Sequence, residues 1–299
     1  MAIRGSVPVS ENSPAARLRD LLDQRSAVVA PGVFDGLSAA LTASAGFQAA
    51  YLSGAAVAAA TGLPDIGLAT QTEFVHQLDV VAGRLDVPVV ADADTGFGDV
   101  TNAYRTVRLY ERAGAAAIQL EDQEFPKRCG HLDGKRVVDA DEFARKIEAA
   151  VEARLDPDTV IVGRTDSCAT LGFEEAVRRV NLYAEAGADL VFLEAPQTVE
   201  QVREVPSRVK APALFNLVPR GKTPVVELAE LAELGYALVI MPGLCVGSAA
   251  SAMRAALERA ARGDVGTGGQ DSPKGMFDSL GLGFWEDLRE RHAGESADA

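Results

Sequence analysis

The chain has 299 residues, of which 47% are hydrophobic and 24% charged, which is enough apolar sequence for one large core. Its 43 acidic residues exceed its 29 Lys and Arg by 14, and the sequence shows no basic stripe of the kind that nucleic-acid binding requires. The three cysteines show neither metal-type spacing nor a disulfide framework, and no apolar stretch predicts a signal core or a membrane span. We therefore expect a soluble, cytoplasmic protein, in which an anionic substrate would need a local basic pocket.

In chain order, the polar residues 1–12 are expected to be frayed, and Ser13-Pro14 predicts the start of a short helix, Ala15–Asp23. Short apolar runs then alternate with polar or Gly-rich loops and with helical stretches. The runs are almost wholly apolar, as expected of parallel strands buried on both faces. Eight runs are predicted to be strands: Ala27–Ala30, Ala49–Ser53, Val87–Asp92, Ala117–Glu121, Val160–Arg164, Leu190–Glu194, Ala213–Asn216 and Leu238–Met241.

Helices are predicted between the strands, among them Ala103–Ala113, Ala140–Ala153 and Glu174–Ala186. Three helix-to-strand junctions read Ala-Gly-Phe or Ala-Gly-Ala, with glycine placed at the helix C-cap. Eight βα units in about 240 residues predict a closed (β/α)₈ TIM barrel, with residues 1–299 as a single domain. An open doubly wound sheet is the alternative, but no G-x-G-x-x-G follows the first strand.

The segment after the eighth strand predicts a helix at Ala249–Ala261, a Gly-rich linker at residues 263–275 and an amphipathic helix at Met276–Arg291. The last helix carries three aromatic side chains that need a surface to bury against, namely Phe277, Phe284 and Trp285. We expect a second subunit to supply that surface, so the protein is predicted to be a homo-oligomer.

Polar side chains end nearly every predicted strand, at the end of the barrel where active sites lie. One or two of them would be ordinary caps, but a ring of them predicts a site. The ring comprises Ser53, Asp92, Asp94, Glu121, Asp122, Arg164, Asp166, Glu194 and Asn216.

Two carboxylates follow the third strand closely. If that strand continues through Asp94, Asp92 and Asp94 face the same side, about 7 Å apart. With Glu121 from the adjacent strand they form an all-oxygen site, which suits Mg²⁺ better than Zn²⁺ because it holds no His or Cys. Asp94 could instead cap a turn with Gly96, but Glu121 at a matching strand end favours the metal.

The loop after the fourth strand reads Lys127-Arg128-Cys129-Gly130-His131. Lys and Arg bind carboxylates, and the neighbouring positive charge is expected to make the Cys129 thiol easily ionised. A solvated basic loop beside an inert cysteine is the alternative.

Two further elements predict anion binding. The Ser53-Gly54 turn presents backbone N–H groups at the end of the second strand. Arg164 offers a bidentate partner for a carboxylate, although a structural salt bridge would equally explain this arginine.

These segments resemble the isocitrate lyase/phosphoenolpyruvate mutase superfamily, in particular its short members such as 2-methylisocitrate lyases, 2,3-dimethylmalate lyases and carboxyvinyl-carboxyphosphonate phosphorylmutases. The matching segments, from about Pro31 to Pro242, are PGVFDGLSA, YLSGA, GLPDIG, ADADTGFG, LEDQ, KRCGH, GRTD, LEA and FN…GKTP. The KRCGH loop and Glu194 in LEA match the lyases of that superfamily rather than the mutases.

The resemblance implies Mg²⁺, with Mn²⁺ as a possible substitute, bound directly by Asp92 and through water by Asp94 and Glu121. It implies that Cys129 protonates the departing carbanion, and that Tyr51 and Asp65 are active-site polar groups. The keto-acid half of the substrate would be held by Ser53, Gly54, Ala55 and Arg164. The departing half would be bound by Lys127, Arg128, Gly130, His131, Glu194 and Asn216.

The reaction so implied is retro-Claisen cleavage of a small 2-hydroxy di- or tricarboxylate, such as 2-methylisocitrate or a 2-alkylmalate, to a 2-keto acid such as pyruvate plus a carboxylate. The resemblance also implies a dimer or tetramer with exchanged C-terminal helices. Two segments depart from the usual pattern: Pro219 replaces a Glu and Arg220 is added after the seventh strand, and the segment after the eighth lacks a small hydroxyl residue. The alternatives are oxaloacetate hydrolysis or decarboxylation, phosphonate formation, or a non-catalytic metabolite-binding barrel.

Overall fold

The computed structural model describes residues 13–24, 26–264, 266 and 272–293. The predicted frayed segment 1–12 and part of the predicted linker, residues 265 and 267–271, lie outside this range. Eight parallel strands form a closed barrel in sequence order, with the last strand pairing with the first, which confirms the predicted (β/α)₈ barrel and excludes the open sheet. The strands are β1 (Val28–Val33), β2 (Ala50–Leu52), β3 (Val89–Asp92), β4 (Ala117–Glu121), β5 (Val160–Thr165), β6 (Leu190–Leu193), β7 (Ala213–Asn216) and β8 (Tyr236–Met241).

Helices surround the barrel and extend beyond it. They are α1 (Pro14–Leu22), α2 (Gly36–Ser44), α3 (Gly54–Ala60), α4 (Gln71–Arg84), α5 (Val100–Arg112), α6 (Ala140–Glu152), α7 (Cys168–Leu171), α8 (Phe173–Glu185), α9 (Val199–Arg208), α10 (Leu228–Leu234), α11 (Leu244–Ala261), α12 (Pro273–Ser279) and α13 (Leu282–His292). None of the helices in the described part of the chain combines the length and the apolar character that a membrane span requires.

Local sequence signals set the element boundaries. Ser13 caps α1 by accepting a hydrogen bond from the Ala16 amide, as the Ser-Pro pair predicts. The three junction glycines have positive φ angles, the left-handed backbone expected just after a helix: Gly46, Gly114 and Gly187. The third strand begins two residues later than predicted, because Pro88 has no N–H to donate to the ladder.

The barrel interior is a packed apolar core that is closed at one end. Side chains from the strands, including Tyr51, Phe192 and Ile240, are fully or almost fully buried together with Leu18 of α1. α1 lies at the N-terminal end of the barrel, where Arg17 and Arg19 donate to backbone carbonyls of the loops that precede strands. The opposite, C-terminal end is therefore left for a functional site.

The C-terminal region differs from its prediction in two respects. The single helix expected at Met276–Arg291 is two helices, α12 and α13, because Gly281 adopts a left-handed backbone with φ 90° between them. The helix expected from Ala249 begins earlier, at Leu244. No residue of these three helices is fully buried, and several of their large apolar side chains are exposed within the described chain.

Candidate active site

A cavity of ≈ 170 Å³ opens at the C-terminal end of the barrel. At about 30 Å³ for each water molecule, this volume corresponds to about six waters, which matches a small organic acid. Twelve of the sixteen site residues that the sequence predicted line it: Tyr51, Ser53, Ala55, Asp65, Asp92, Lys127, Cys129, Gly130, His131, Arg164, Glu194 and Asn216. The ring of strand ends therefore converges on one cavity.

Asp92, the last residue of β3, lines the cavity and is 5% exposed. Its Oδ2 accepts a hydrogen bond from the Gly54 amide at 3.2 Å, and its Oδ1 accepts from Gln119 Nε2 at 3.1 Å. Tyr51 in turn donates its hydroxyl to Gln119 Oε1 at 3.0 Å. A Cβ at Gly54 would lie 2.8 Å from Asp92 Oδ2, so this position must be glycine for the amide to reach the carboxylate.

Asp94 is placed differently from the prediction. The strand ends at Asp92, and Asp94 lies in a turn with φ 46°, so the two carboxylates are not side by side on one strand. Asp94 Oδ1 instead lies 2.7 Å from Lys127 Nζ, which also contacts Asp65 Oδ1 at 2.5 Å. Burial, together with the neighbouring Asp92 and Asp65 carboxylates, raises the pKa of Asp94 to about 7 despite the Lys127 ammonium.

Glu121 and Arg164 form a second buried group beside the first. Arg164 Nη1 lies 3.3 Å from Glu121 Oε2, and Arg164 Nε donates to Asp166 Oδ2 at 2.8 Å. Lys135 donates to the other Asp166 oxygen at 2.8 Å and to the Gly130 carbonyl at 2.5 Å. The salt-bridge explanation of Arg164 and its place in the cavity wall are thus both correct.

The residues fit a hard cation with a single direct carboxylate. In the described ranges, no three His, Cys, Asp or Glu side chains lie close enough together to chelate one ion, so direct binding by Asp92, Asp94 and Glu121 together is not supported. Two buried carboxylate oxygens, Asp94 Oδ1 and Glu121 Oε1, nevertheless lack a hydrogen-bond donor of good geometry. Burial raises the pKa of Glu121 well above its usual value, although Arg164 lies beside it. An ion on Asp92 with water ligands reaching the other two would relieve this.

Cys129 lies in the cavity wall. The sequence suggested an easily ionised thiol, but its surroundings in the structure make the thiol harder to ionise. Burial, together with the Asp65 and Glu194 carboxylates, raises the pKa of Cys129 above the usual 9.0. The expected cations do not act on it: Lys127 is paired with two carboxylates, and burial lowers the pKa of His131, leaving it neutral at pH 7. The thiol keeps its proton, which suits a proton donor rather than a nucleophile.

His131 connects the loop after β4 to the loop after β7. Its Nδ1 accepts a hydrogen bond from the Lys222 amide at 3.1 Å, so the neutral ring carries its proton on Nε2, which lies 3.3 Å from Glu194 Oε1. Glu194 Oε2 accepts from Asn216 Nδ2 at 3.1 Å. A Cβ on Gly221 would lie 2.8 Å from the His131 ring, which explains a glycine beside it.

Four predicted site residues do not line the cavity. Gly54, Asp94 and Glu121 lie behind it and act on residues that do. Arg128, expected to bind substrate, is exposed and lines a separate surface pocket; only its backbone is held, by the Gln123 side chain. The prediction for Arg128 assumed that neighbouring side chains of a loop point the same way, but in a turn they point in different directions.

Other residues of the site went unidentified. Gln119 and Lys135 support it from behind, and neither ends a strand, so the strand-end rule could not find them. The apolar lining residues carry no chemical signal in the sequence, although most of them lie in the two segments, after β7 and after β8, that depart from the usual pattern. These lining residues are Ala56, Val218, Pro242, Gly243 and Val246.

Comparison with known proteins agrees with this geometry. Residues 18–261 match the family described as phosphoenolpyruvate phosphomutase. The chain belongs to the phosphoenolpyruvate phosphomutase family. Within it, 2-methylisocitrate lyase of Aeropyrum pernix is 49% identical over 229 residues, covering 77% of this chain and 74% of that protein. The 2,3-dimethylmalate lyase of Eubacterium barkeri is 44% identical over 240 residues, covering 80% and 83%.

Solved structures of the family superpose closely on the barrel. Oxaloacetate acetylhydrolase, in complex with 3,3-difluorooxalacetate, gives a TM-score of 0.91 at 35% identity and covers 95% of this chain and 98% of its own. A 2,3-dimethylmalate lyase, described as a PEP mutase/isocitrate lyase superfamily member, gives 0.90 at 39% identity, covering 96% and 98%. The resemblance drawn from the sequence motifs is confirmed.

Proposed function

We propose that the protein is a Mg²⁺-dependent carbon–carbon lyase that cleaves a small 2-hydroxy di- or tricarboxylate to a 2-keto acid and a shorter carboxylate. The observation that carries the proposal is the placement, in one small cavity, of the buried Asp92 carboxylate and the protonated Cys129 thiol. Curated relatives named lyases, between 42% and 49% identical, support the reaction type.

Asp92 would hold the cation directly, with Asp94 and Glu121 reaching it through water. When bound, a divalent cation acidifies the substrate hydroxyl and stabilises the charge left on that oxygen. Carboxylate and water oxygens suit Mg²⁺, with Mn²⁺ as a substitute. Phosphonopyruvate hydrolase, 31% identical to this chain with a TM-score of 0.84, has been solved with oxalate and Mg²⁺, which supports the same assignment here.

The side chains divide the remaining work. Asp65, a carboxylate of the cavity wall outside the proposed metal group, takes the proton of the substrate hydroxyl. The bond between the hydroxyl-bearing carbon and its neighbour breaks, the hydroxyl oxygen becomes a carbonyl, and the electron pair remains on the departing carbon. Cys129 then gives its proton to that carbon. Lys127 and Arg164 balance the charge of the two substrate carboxylates, one on each side of the reacting bond.

The experiment that tests the proposal is a product assay with Mg²⁺ over a panel of small 2-hydroxy diacids and triacids. Pyruvate or another 2-keto acid is the expected product. Acetate plus oxalate from oxaloacetate would indicate a hydrolase instead, a candidate favoured by the structural similarity to oxaloacetate acetylhydrolase. Release of CO₂ alone would indicate a decarboxylase, and no product from any compound would indicate a binding barrel.

We further propose that the chain is one domain that associates into a dimer or tetramer through its C-terminal helices. α11, α12 and α13 expose several large apolar side chains, among them Leu257 at 70%, Met253 at 58% and Trp285 at 53%. Such surfaces are buried in oligomers. The cytoplasmic location expected from the sequence stays a prediction.

A chain truncated after Asp264 is expected to lose oligomeric mass, because it lacks α12 and α13 with Phe277 and Trp285. Light scattering of the full-length and truncated proteins at equal micromolar concentration measures this. Circular dichroism of the truncated chain checks that the barrel is still folded. A monomeric full-length protein, or a folded truncated chain of unchanged mass, would contradict the proposal.

A further inference from the structure

The cavity has a second wall that the proposed chemistry does not use. It is apolar and is formed at the start of α3, after β7 and after β8, by Ala55, Ala56, Val218, Pro242 and Val246. α11, which carries Val246, packs against α3, so the apolar residues of these two helices lie near one another in the cavity wall. A surface of this kind favours a methyl or ethyl group of the substrate.

The cavity wall holds two cations, and the proposed mechanism assigns both to the two carboxylates beside the reacting bond. Lys127 is held by Asp65 and Asp94, and Arg164 by Asp166 and Glu121. Among the described residues that line the cavity, Lys127 and Arg164 are the only ones of Lys or Arg type, and neither belongs to the apolar wall.

A third substrate carboxylate would therefore be placed badly. Towards the β7 side it would approach Glu194, which is fully buried and accepts from Asn216, and towards the apolar wall it would lose water without gaining a donor. Removing a carboxylate from water without a partner is strongly unfavourable. Arg220, two residues beyond Val218, is exposed and does not line the cavity.

We propose that Val218 and Val246 determine specificity, and that they select a dicarboxylate bearing small alkyl substituents, of the 2-alkylmalate type, over a tricarboxylate. This inference rests on the proposed lyase function. In the implied cleavage, a 2-alkylmalate yields two products. One is a 2-keto acid that retains the alkyl group, and the other is acetate, whose methyl carbon receives the proton of Cys129.

The experiment compares kcat/KM for 2-methylmalate, 2-ethylmalate, 2,3-dimethylmalate and 2-methylisocitrate with the Mg²⁺-loaded enzyme. We expect the best dicarboxylate to exceed the tricarboxylate by about a hundredfold or more. Val246→Ala and Val218→Ala should each lower kcat/KM for the best dicarboxylate by about tenfold, since each buried CH₂ contributes about fourfold. Val225→Ala, an equally small change at an exposed valine of the loop after β7, is the matched control and should have no effect.

A Val218→Lys variant gives the reverse test. It supplies the missing cation, so the ratio of tricarboxylate to dicarboxylate kcat/KM should rise at least tenfold. A wild-type preference for 2-methylisocitrate would overturn the inference while leaving the lyase function intact, and loss of that preference in Arg220→Ala would assign the third carboxylate to Arg220. No cleavage of any of the four compounds would instead overturn the proposed function itself.

Discussion

Replacing Asp92 by Ala is expected to lower kcat by about a thousandfold or more, because the loss of Lewis-acid stabilisation amounts to several kcal/mol at the reacting oxygen. Asp92 is the proposed direct ligand, and the other two carboxylates are held by Lys127 and Arg164 instead of facing the cavity. Neither can take its place without giving up its ion pair with Lys127 or Arg164. EDTA should reproduce the loss in the wild-type protein, and added Mg²⁺ or Mn²⁺ should reverse it.

The matched control is Asp86→Ala, an exposed carboxylate just before the same strand, at the opposite end of the barrel. Mn²⁺ binding followed by electron paramagnetic resonance gives a second measurement that does not depend on turnover. Asp92→Ala should lose this binding and Asp86→Ala should keep it. Full activity in EDTA, or unchanged Mn²⁺ binding by Asp92→Ala, would show the metal assignment to be wrong.

The barrel could be predicted because its signals are local and repeated. Eight apolar runs of similar length, with glycines at three helix ends, predict parallel strands and short connections. The structure differs from the prediction where contacts between distant parts of the chain set the boundary of a strand. β1 extends to Val33, beyond the predicted Ala30, because Pro31 pairs with Met241 of β8 and Gly32 with Tyr51 of β2. No pattern within β1 itself carries that information.

Which polar side chains gather at the cavity could be predicted from the sequence, but the electrostatics of the cavity could not. Strand ends meet at one face of a barrel, so polar residues there can be gathered from sequence alone. The state of Cys129 depends on burial and on Asp65 and Glu194, which are 64 and 65 positions away along the chain and lie beside it only after folding. Adjacent Lys and Arg in the sequence suggested the opposite sign. A charge acts through space, and neighbours in a loop need not share a direction.

Replacing Cys129 by Ser is expected to lower kcat by about 10²–10⁴, the usual cost of losing a positioned proton donor. The hydroxyl is a much weaker acid of similar size, so protonation of the departing carbanion becomes slow. The substrate Kd should change little, because Lys127, Arg164 and the backbone of the loop are unaltered. The matched control is Cys245→Ser, a half-buried cysteine outside the cavity, which should keep normal kcat.

The pH dependence separates an acid from a merely structural thiol. Burial raises the pKa of Cys129 above 9.0, so the thiol is fully protonated at neutral pH and loses its proton only as pH rises past that value. A reaction that needs the protonated thiol should therefore keep its rate up to about pH 9 and fall above it. The raised pKa should also make alkylation by iodoacetamide at pH 7 slower than that of a free cysteine. Near-normal kcat in Cys129→Ser would remove Cys129 from the mechanism. If the residual activity of Cys129→Ser still falls above pH 9 as in the wild-type protein, the group that titrates is another residue.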